Sequence, residues 1–264
     1  MWQYRILETG FFYADGGAMF GAIPKRAWKR KYPSNTDNCC ILAMNCVLLW
    51  NKDYRILVDT GVGNKNLGKL SYYHFHDLQS IEELLRKQGL TTNDITDVIL
   101  SHLHFDHCGG CTYEDSKGGL KISFPNARHH IGKDQWLNYL NPNPLEENSF
   151  RKEDILPVEK AGLINLIDTD LELYPGLTIG VYDGHTAGQL VPLFISDDSC
   201  ILIPGDVIPS KAHLSDDWIS AYDIHPLKSL SAKRSLKERI KNNRSDIIFY
   251  HDAYNKFINY TLKV

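Results

Sequence analysis

Ser101-His102-Leu103-His104-Phe105-Asp106-His107 places three histidines and one carboxylate within six positions. No ordinary helix, strand or turn needs that composition, whereas imidazole and carboxylate are the ligands that zinc and its neighbours prefer. Side chains alternate along extended backbone, so His102 and His104 point the same way. Asp106 and His107, just past the bend, face a second point a few ångströms off. One pair of ligands per point predicts two adjacent metal ions. A surface cluster of histidines beside a turn is the competing interpretation, and it leaves the spacing unexplained.

Upstream of this stretch, Asp97 to Leu100 forms an apolar run that delivers the cluster from the end of a strand. Further strands are expected at Ile41 to Trp50 and Tyr54 to Asp59, joined through Asn51-Lys52-Asp53. Leu78 to Gln88 carries a helical stripe, with Asp77 as the expected N-cap and Gly89 as the stop. Downstream, Asn141-Pro142-Asn143-Pro144 marks a loop between helices. Strands follow at Leu177 to Tyr182, Leu190 to Ser196 and Cys200 to Ile203; an amphipathic helix over Ser229 to Ile240 precedes a strand from Ile247 to Tyr250. Strand groups interrupted by helices, with candidate ligands at strand ends, indicate a layered α/β architecture, and one domain over 1–264 is the simplest organisation.

Two metals need more ligands than one cluster supplies. His185 lies in Gly184-His185-Thr186-Ala187-Gly188, between glycines that permit close approach. Asp206 directly follows the run Cys200 to Ile203 and Pro204-Gly205, and His251 follows Ile247 to Tyr250. Each is unremarkable alone, since a lone histidine at a strand end is usually structural. Beside the first cluster they complete a set in which a carboxylate such as Asp206 can bridge two cations.

The chain is 264 residues long with a formal net charge of -3, which favours neither a nucleic-acid partner nor another polyanion. Six cysteines are too few for a disulfide scaffold at this length. Arg5, Glu8 and Asp15 interrupt any signal-peptide core, and no stretch reaches the ~20 apolar residues of a membrane span. A cytoplasmic protein with no membrane partner is expected, and a homodimer stays possible.

These residues resemble the metallo-β-lactamase-fold hydrolases, whose signature is a histidine-aspartate cluster followed by a distant His, a bridging Asp and a final His. Val58-Asp59-Thr60-Gly61 fits the same pattern. The resemblance covers nearly the whole chain and implies a four-layer αββα sandwich of two similar halves. It assigns His102, His104 and His185 to one metal, Asp106, His107 and His251 to the second, and Asp206 to both, with Asp59 beneath them orienting a ligand. The cofactors implied are two divalent ions, zinc first, with iron, manganese or cobalt as alternatives.

Within that family, Leu103-His104-Phe105-Asp106-His107-Cys108-Gly109-Gly110 and Asp15-Gly16-Gly17-Ala18-Met19-Phe20-Gly21-Ala22-Ile23-Pro24-Lys25 are similar to N-acyl-homoserine lactonases and methyl-parathion-hydrolase-like enzymes. The best-known lactonases carry a tyrosine three residues after the bridging Asp. Pro209 stands there in this chain, leaving His213 or Tyr222 as replacements. Members with a cysteine ligand have it where Asp206 stands, and oxygen-reducing di-iron members carry a glutamate where His104 stands, so neither subgroup fits.

The expected reaction is hydrolysis of a small ester, foremost a lactone, by a metal-bridging hydroxide, since metal binding brings the pKa of water to about 7. Asp106 is the expected proton acceptor and donor. A phosphotriester or aryl ester is the alternative substrate, and a non-catalytic metal-binding sensor is the alternative from another class. Met19, Phe20, Trp28, Trp218 and Tyr222 are candidates for an apolar pocket wall. Cys108-Gly109-Gly110-Cys111 matches a C-x-x-C redox pair, although tight packing after the ligand cluster explains it as well. His74 and His76 read as a polar surface loop, and Lys228, Lys233, Arg234, Lys237, Arg239 and Lys241 as the solvated face of the late helix.

Overall fold

The apolar run Cys39–Trp50 forms a strand buried on both faces, as a near-continuous hydrophobic strand must be. Its Leu42, Met44, Cys46 and Leu48 face one apolar cluster, while Val47 and Leu49 face another. A computed structural model describes residues 1–65, 67–196, 199–241 and 244–260 of the chain.

The strands are β1 (Gln3–Asp15), β2 (Cys39–Trp50), β3 (Arg55–Val58), β4 (Asp97–Ile99), β5 (Thr112–Glu114), β6 (Leu120–Ile122), β7 (Arg128–Gly132) and β8 (Ile164–Ile167). They continue as β9 (Leu171–Tyr174), β10 (Leu177–Tyr182), β11 (Gln189–Ser196), β12 (Ser199–Leu202), β13 (Ser245–Ile248) and β14 (Phe257–Tyr260). One sheet has the order β1-β2-β3-β4-β7-β8 and the other β14-β13-β12-β11-β10-β9, with β5 and β6 forming a separate hairpin. Pairing is parallel from β3 through β4 and β7 to β8 and between β12 and β13. The helices are α1 (Gly16–Phe20), α2 (Lys25–Trp28), α3 (Ile81–Arg86), α4 (Phe105–Cys108), α5 (Lys133–Leu140), α6 (Lys152–Lys160) and α7 (Pro226–Ile240).

Three apolar clusters define four layers. Val47, Ile56, Val58 and Ile99 of the first sheet meet Leu177, Ile179, Leu190, Phe194, Ile201 and Ile248 of the second. On the outer face of the first sheet, Leu57 and Val98 pack with Leu85 of α3, Phe105 of α4, Trp136 of α5 and Ile155 of α6. On the outer face of the second, Val191, Leu202 and Ile247 pack with Ala232, Leu236 and Ile240 of α7. Each fully buried Leu or Ile contributes about 1.5–3 kcal/mol relative to an exposed one. The result is the expected αββα sandwich, held by period-two alternation in strands buried on both sides.

Most predicted strands occur within one or two residues of their expected bounds. Several features differ: β5 to β9 and β14 were not expected, and α7 begins at Pro226 rather than Ser229. Helix α3 starts later than expected and is capped by Ser80, whose side chain accepts from the Glu83 N–H at 3.1 Å; Asp77 instead adopts φ 51° in the preceding turn. Strand β1, thirteen residues long, was not expected, because its mixture of Arg5, Glu8 and Gly10 with aromatics obscures any period. It is an edge strand, and its exposed positions carry the polar residues. Among the described residues, no helix is long and apolar enough to cross a membrane.

Candidate metal centre

Five chain segments end at one edge of the sandwich. Strand β3 runs into Asp59, β4 into Ser101 and His102, β10 into His185, β12 into Asp206 and β13 into His251. The single turn of α4 then presents Asp106 and His107 after the bend at His104. Glycine is required at two of these exits. Gly184 has φ 142°, and a Cβ there would lie 2.5 Å from the Ser229 nitrogen at the start of α7. Gly205 has φ 51°, and its Cβ would lie 2.7 Å from Gln189 Nε2.

All seven residues singled out as ligands converge and are buried. His102, His104 and His185 form one group of potential ligand atoms within 4.8 Å of one another, and Asp106, His107 and His251 form another. Asp206 lies between them. Its Oδ2 is 3.3 Å from His185 Nε2, and its Oδ1 is 3.5 Å from His107 Nε2 and 3.3 Å from His251 Nε2. That Oδ1 is buried with no hydrogen-bond partner.

The outward-facing nitrogen of each histidine has an acceptor. His102 Nδ1 donates to Ser101 Oγ at 3.1 Å, His104 Nε2 to Glu146 Oε1 at 3.2 Å and His107 Nδ1 to Asp59 Oδ2 at 2.9 Å. His185 Nδ1 donates to Asp223 Oδ1 at 3.0 Å and His251 Nδ1 to the Ala43 carbonyl at 2.9 Å. These partners assign the tautomers and leave the inward nitrogens with lone pairs. Yet His104 Nδ1 lies 3.0 Å from His102 Nε2 and 3.2 Å from His185 Nε2, and His107 Nε2 lies 3.2 Å from His251 Nε2. Lone pairs facing one another at that range repel, as does an orphaned carboxylate oxygen in a buried site. Cations between them remove both problems, so the donor set fits two divalent ions.

Burial, then the neighbouring His107 and His104 rings, hold His102 well below the usual imidazole pKa and keep it neutral. Burial alone would raise the Asp206 carboxyl, but positive charge on the His251, His107 and His185 side outweighs it and holds that carboxyl well below the usual range, so Asp206 faces a place that favours a cation.

Several supporting residues had no sequence signal. Glu146, next to Glu147, and Asp223 are loop acids that no spacing singles out; only folding brings them against His104 and His185. Ser101 donates its hydroxyl to Asp59 at 2.8 Å and its N–H to the same carboxylate at 2.7 Å. Tyr250 stacks on His107 at 3.9 Å and donates to the Asp106 carbonyl at 2.5 Å. Lys65, buried in an ion pair of 3.1 Å with Asp154, also donates to the Gly109 carbonyl just past α4. The arrangement around Glu146 yields a first prediction. Asn138 and Asn143 donate to its second oxygen, so Glu146→Gln sets an amide N–H₂ against one set of donors. Competitive chelator titration is expected to show metal affinity reduced about 10–100-fold, the usual effect of losing such an orienting partner; unchanged affinity would contradict the assigned role.

A cavity of about 220 Å³ opens above the centre. Phe12, Met19, Leu42, Tyr73, Phe105 and Tyr222 provide an apolar wall, and no Lys or Arg occurs among the described residues lining it. Of the expected wall residues, Met19 and Tyr222 line the cavity, whereas Phe20, Trp28, His213 and Trp218 do not. Phe20 stacks between Trp28 and His213, each at 4.8 Å, with Trp218 against its edge at 5.9 Å. His213 spends both nitrogens there, accepting from Ser210 Oγ at 2.7 Å and donating to the Met19 carbonyl at 2.8 Å. Pro209 also borders the cavity.

The C-x-x-C is a packing element. Cys108 and Cys111 are free and buried; burial pushes the Cys108 thiol well up and Cys111 to about 12, opposite to a reactive thiolate. His76 stacks on Phe11 at 5.6 Å in the loop before α3, away from the centre.

The metallo-beta-lactamase superfamily model matches residues 42–251, and the chain belongs to that superfamily. It is a hydrolase whose His and Asp clusters support a dinuclear divalent metal site. An N-acyl homoserine lactonase from Bacillus thuringiensis is 28% identical over 220 residues, covering 78% of this chain and 80% of that protein. One from Bacillus cereus is 29% identical over 233 residues, covering 83% and 84%. A Staphylococcus aureus structure described as a probable metal-dependent hydrolase matches with a TM-score of 0.91 at 27% identity, over 99% of this chain and 93% of that one. The fold is also that of AidC, described as a dizinc quorum-quenching lactonase, with a TM-score of 0.77 at 22% identity over 100% and 92% of the two chains.

Proposed function

We propose that the chain hydrolyses a small uncharged ester, foremost a lactone of the N-acyl-homoserine type, at a centre of two divalent ions, zinc first. The observation that carries this reading is the pairing of that donor set with an apolar cavity wall free of Lys and Arg. A charge carried by the substrate away from the ions would need a cationic partner of its own, and this wall offers none. The similar lactonases from Bacillus support the lactone among uncharged esters.

His102, His104 and His185 would hold one ion, Asp106, His107 and His251 the other, and Asp206 both. When bound, the pair supplies Lewis acidity that ionises water near neutral pH and draws charge from the ester carbonyl. Asp106 presents Oδ2 to His107 and His251 at 3.7 and 3.5 Å, which leaves Oδ1 to accept a proton and return it to the departing alkoxide. Asp59, Glu146 and Asp223 hold the imidazoles in the tautomers that face inward. The apolar wall excludes water and seats the acyl chain.

A phosphotriester is also uncharged and suits the same wall. The deciding experiment is a hydrolysis panel of N-acyl homoserine lactones, aryl esters, thioesters and phosphotriesters with Zn, Mn, Co or Fe added in turn. The highest kcat/KM is expected for the lactones. A phosphotriester as the best substrate would replace the lactone assignment, and no metal-dependent rate on any member would overturn the reading.

A further inference from the structure

Helix α7 contradicts its own charge pattern at one position. Ser229, Ala232, Leu236 and Ile240 form its buried stripe, and Lys233 is buried beside them at 1% exposure while Lys228 and Arg234 face solvent. A lysine loses several kcal/mol of hydration when buried, so its position requires a compensating interaction. Its ammonium donates to the Trp218 carbonyl, and Asp223 is the charge that acts on it most strongly. Burial still lowers it to about 8.

Trp218 begins the segment that forms one side of the cavity: Ser220, Ala221, Tyr222 and Asp223 all line it. The opposite edge of that segment is tied to α1, through Ser220 Oγ and the Ala221 N–H, which donate to the Ala18 carbonyl at 3.0 and 2.8 Å. On the solvent side, Arg234 and Lys237 bind Asp216 from more exposed positions. Lys233 is thus the buried anchor between α7 and the start of the wall, whereas Asp223 at its far end is held separately, by His185 Nδ1 and by its own N–H to the Ser220 carbonyl.

We propose that Lys233 is a positioning residue that sets the cavity wall from Trp218 to Tyr222, and with it the fit of the ester's acyl group. This rests on the cavity being the substrate site. It predicts a selective defect: the wall shifts while the metal ligands, held by other strands, stay.

The test compares Lys233→Met, Lys233→Gln and the half-buried control Asp216→Asn on an N-acyl homoserine lactone series of increasing acyl length and on p-nitrophenyl acetate. Wild-type turnover of neither compound would refute the esterase reading itself, separately from this proposal. With wild type active, Lys233→Met is expected to raise KM for the preferred lactone about tenfold, the scale of one lost hydrogen bond to a charged group. It should flatten the dependence on acyl length while keeping wild-type metal content. Lys233→Gln keeps one N–H for the Trp218 carbonyl and is expected to recover most of the KM. Asp216→Asn should leave KM and length preference unchanged. Unaltered KM and length preference in a folded Lys233→Met would overturn the proposal. So would loss of metal in parallel with activity, or failure of both Lys233 variants to fold, since either marks a general structural role.

Discussion

Asp206→Ala is expected to be the most damaging single substitution. The carboxylate lies between two groups of imidazole nitrogens, with one oxygen toward His185 and the other toward His107 and His251. Removing it leaves five inward lone pairs with Asp106, beside His107 and His251, as the remaining carboxylate of the ligand set, in a site where all the imidazoles are buried. On the proposed assignment, two divalent ions a short distance apart would repel each other, and the Asp206 charge between them would let both stay. Losing that Lewis-acid assistance, worth about 4 kcal/mol, corresponds to a drop of about a thousandfold in kcat/KM. Elemental analysis should find the metal content reduced to about one equivalent or less, with ester hydrolysis falling in step. A variant that kept both the metals and the rate would remove Asp206 from the centre.

The second large effect is expected at Asp59, which touches no inward nitrogen. Its Oδ1 accepts from the Ser101 N–H at 2.7 Å; its Oδ2 accepts from Ser101 Oγ at 2.8 Å and from His107 Nδ1 at 2.9 Å. The residue adopts φ 57°, an unfavourable region for a side chain that short polar residues tolerate best. Asp59→Asn has a single carbonyl oxygen for three donors, so its amide N–H₂ must face Ser101 or His107. Facing His107, it would favour the tautomer with hydrogen on Nε2, where the lone pair is needed. Metal affinity is expected to fall about 10–100-fold. At saturating metal, kcat should stay close to wild type, because no ligand has been removed. A kcat that stays low under excess metal would mean Asp59 acts in the chemistry itself.

The ligands were legible in the sequence because their chemistry is dense. Four metal-competent side chains in six residues have no structural reason to coincide, and the later three each end an apolar run that itself reads as a strand. The sandwich was legible for a related reason: β2 and β12 are largely apolar on both faces, as a strand between two packed layers must be. The residues that orient the ligands were not legible. Glu146 and Asp223 are loop acids outside any motif, and their partners His104 and His185 are 42 and 38 positions away. The pocket wall was read only in part. Phe20 and Trp28 resemble pocket aromatics by composition, but a ring stack needs rings on both sides, and His213 and Trp218 close it into the core. Lys233 was hidden among a run of surface cations, since helical periodicity places it beside the buried stripe without saying that a carbonyl awaits it.

The most direct test is a metal titration of the wild-type chain. After exhaustive dialysis against a chelator, hydrolysis of the preferred ester should be absent, and adding Zn²⁺ should restore it to a plateau at about two equivalents per chain. Hydrolysis that persists undiminished in the stripped protein, or is fully restored by a single equivalent, would contradict a reaction carried out at a two-ion centre.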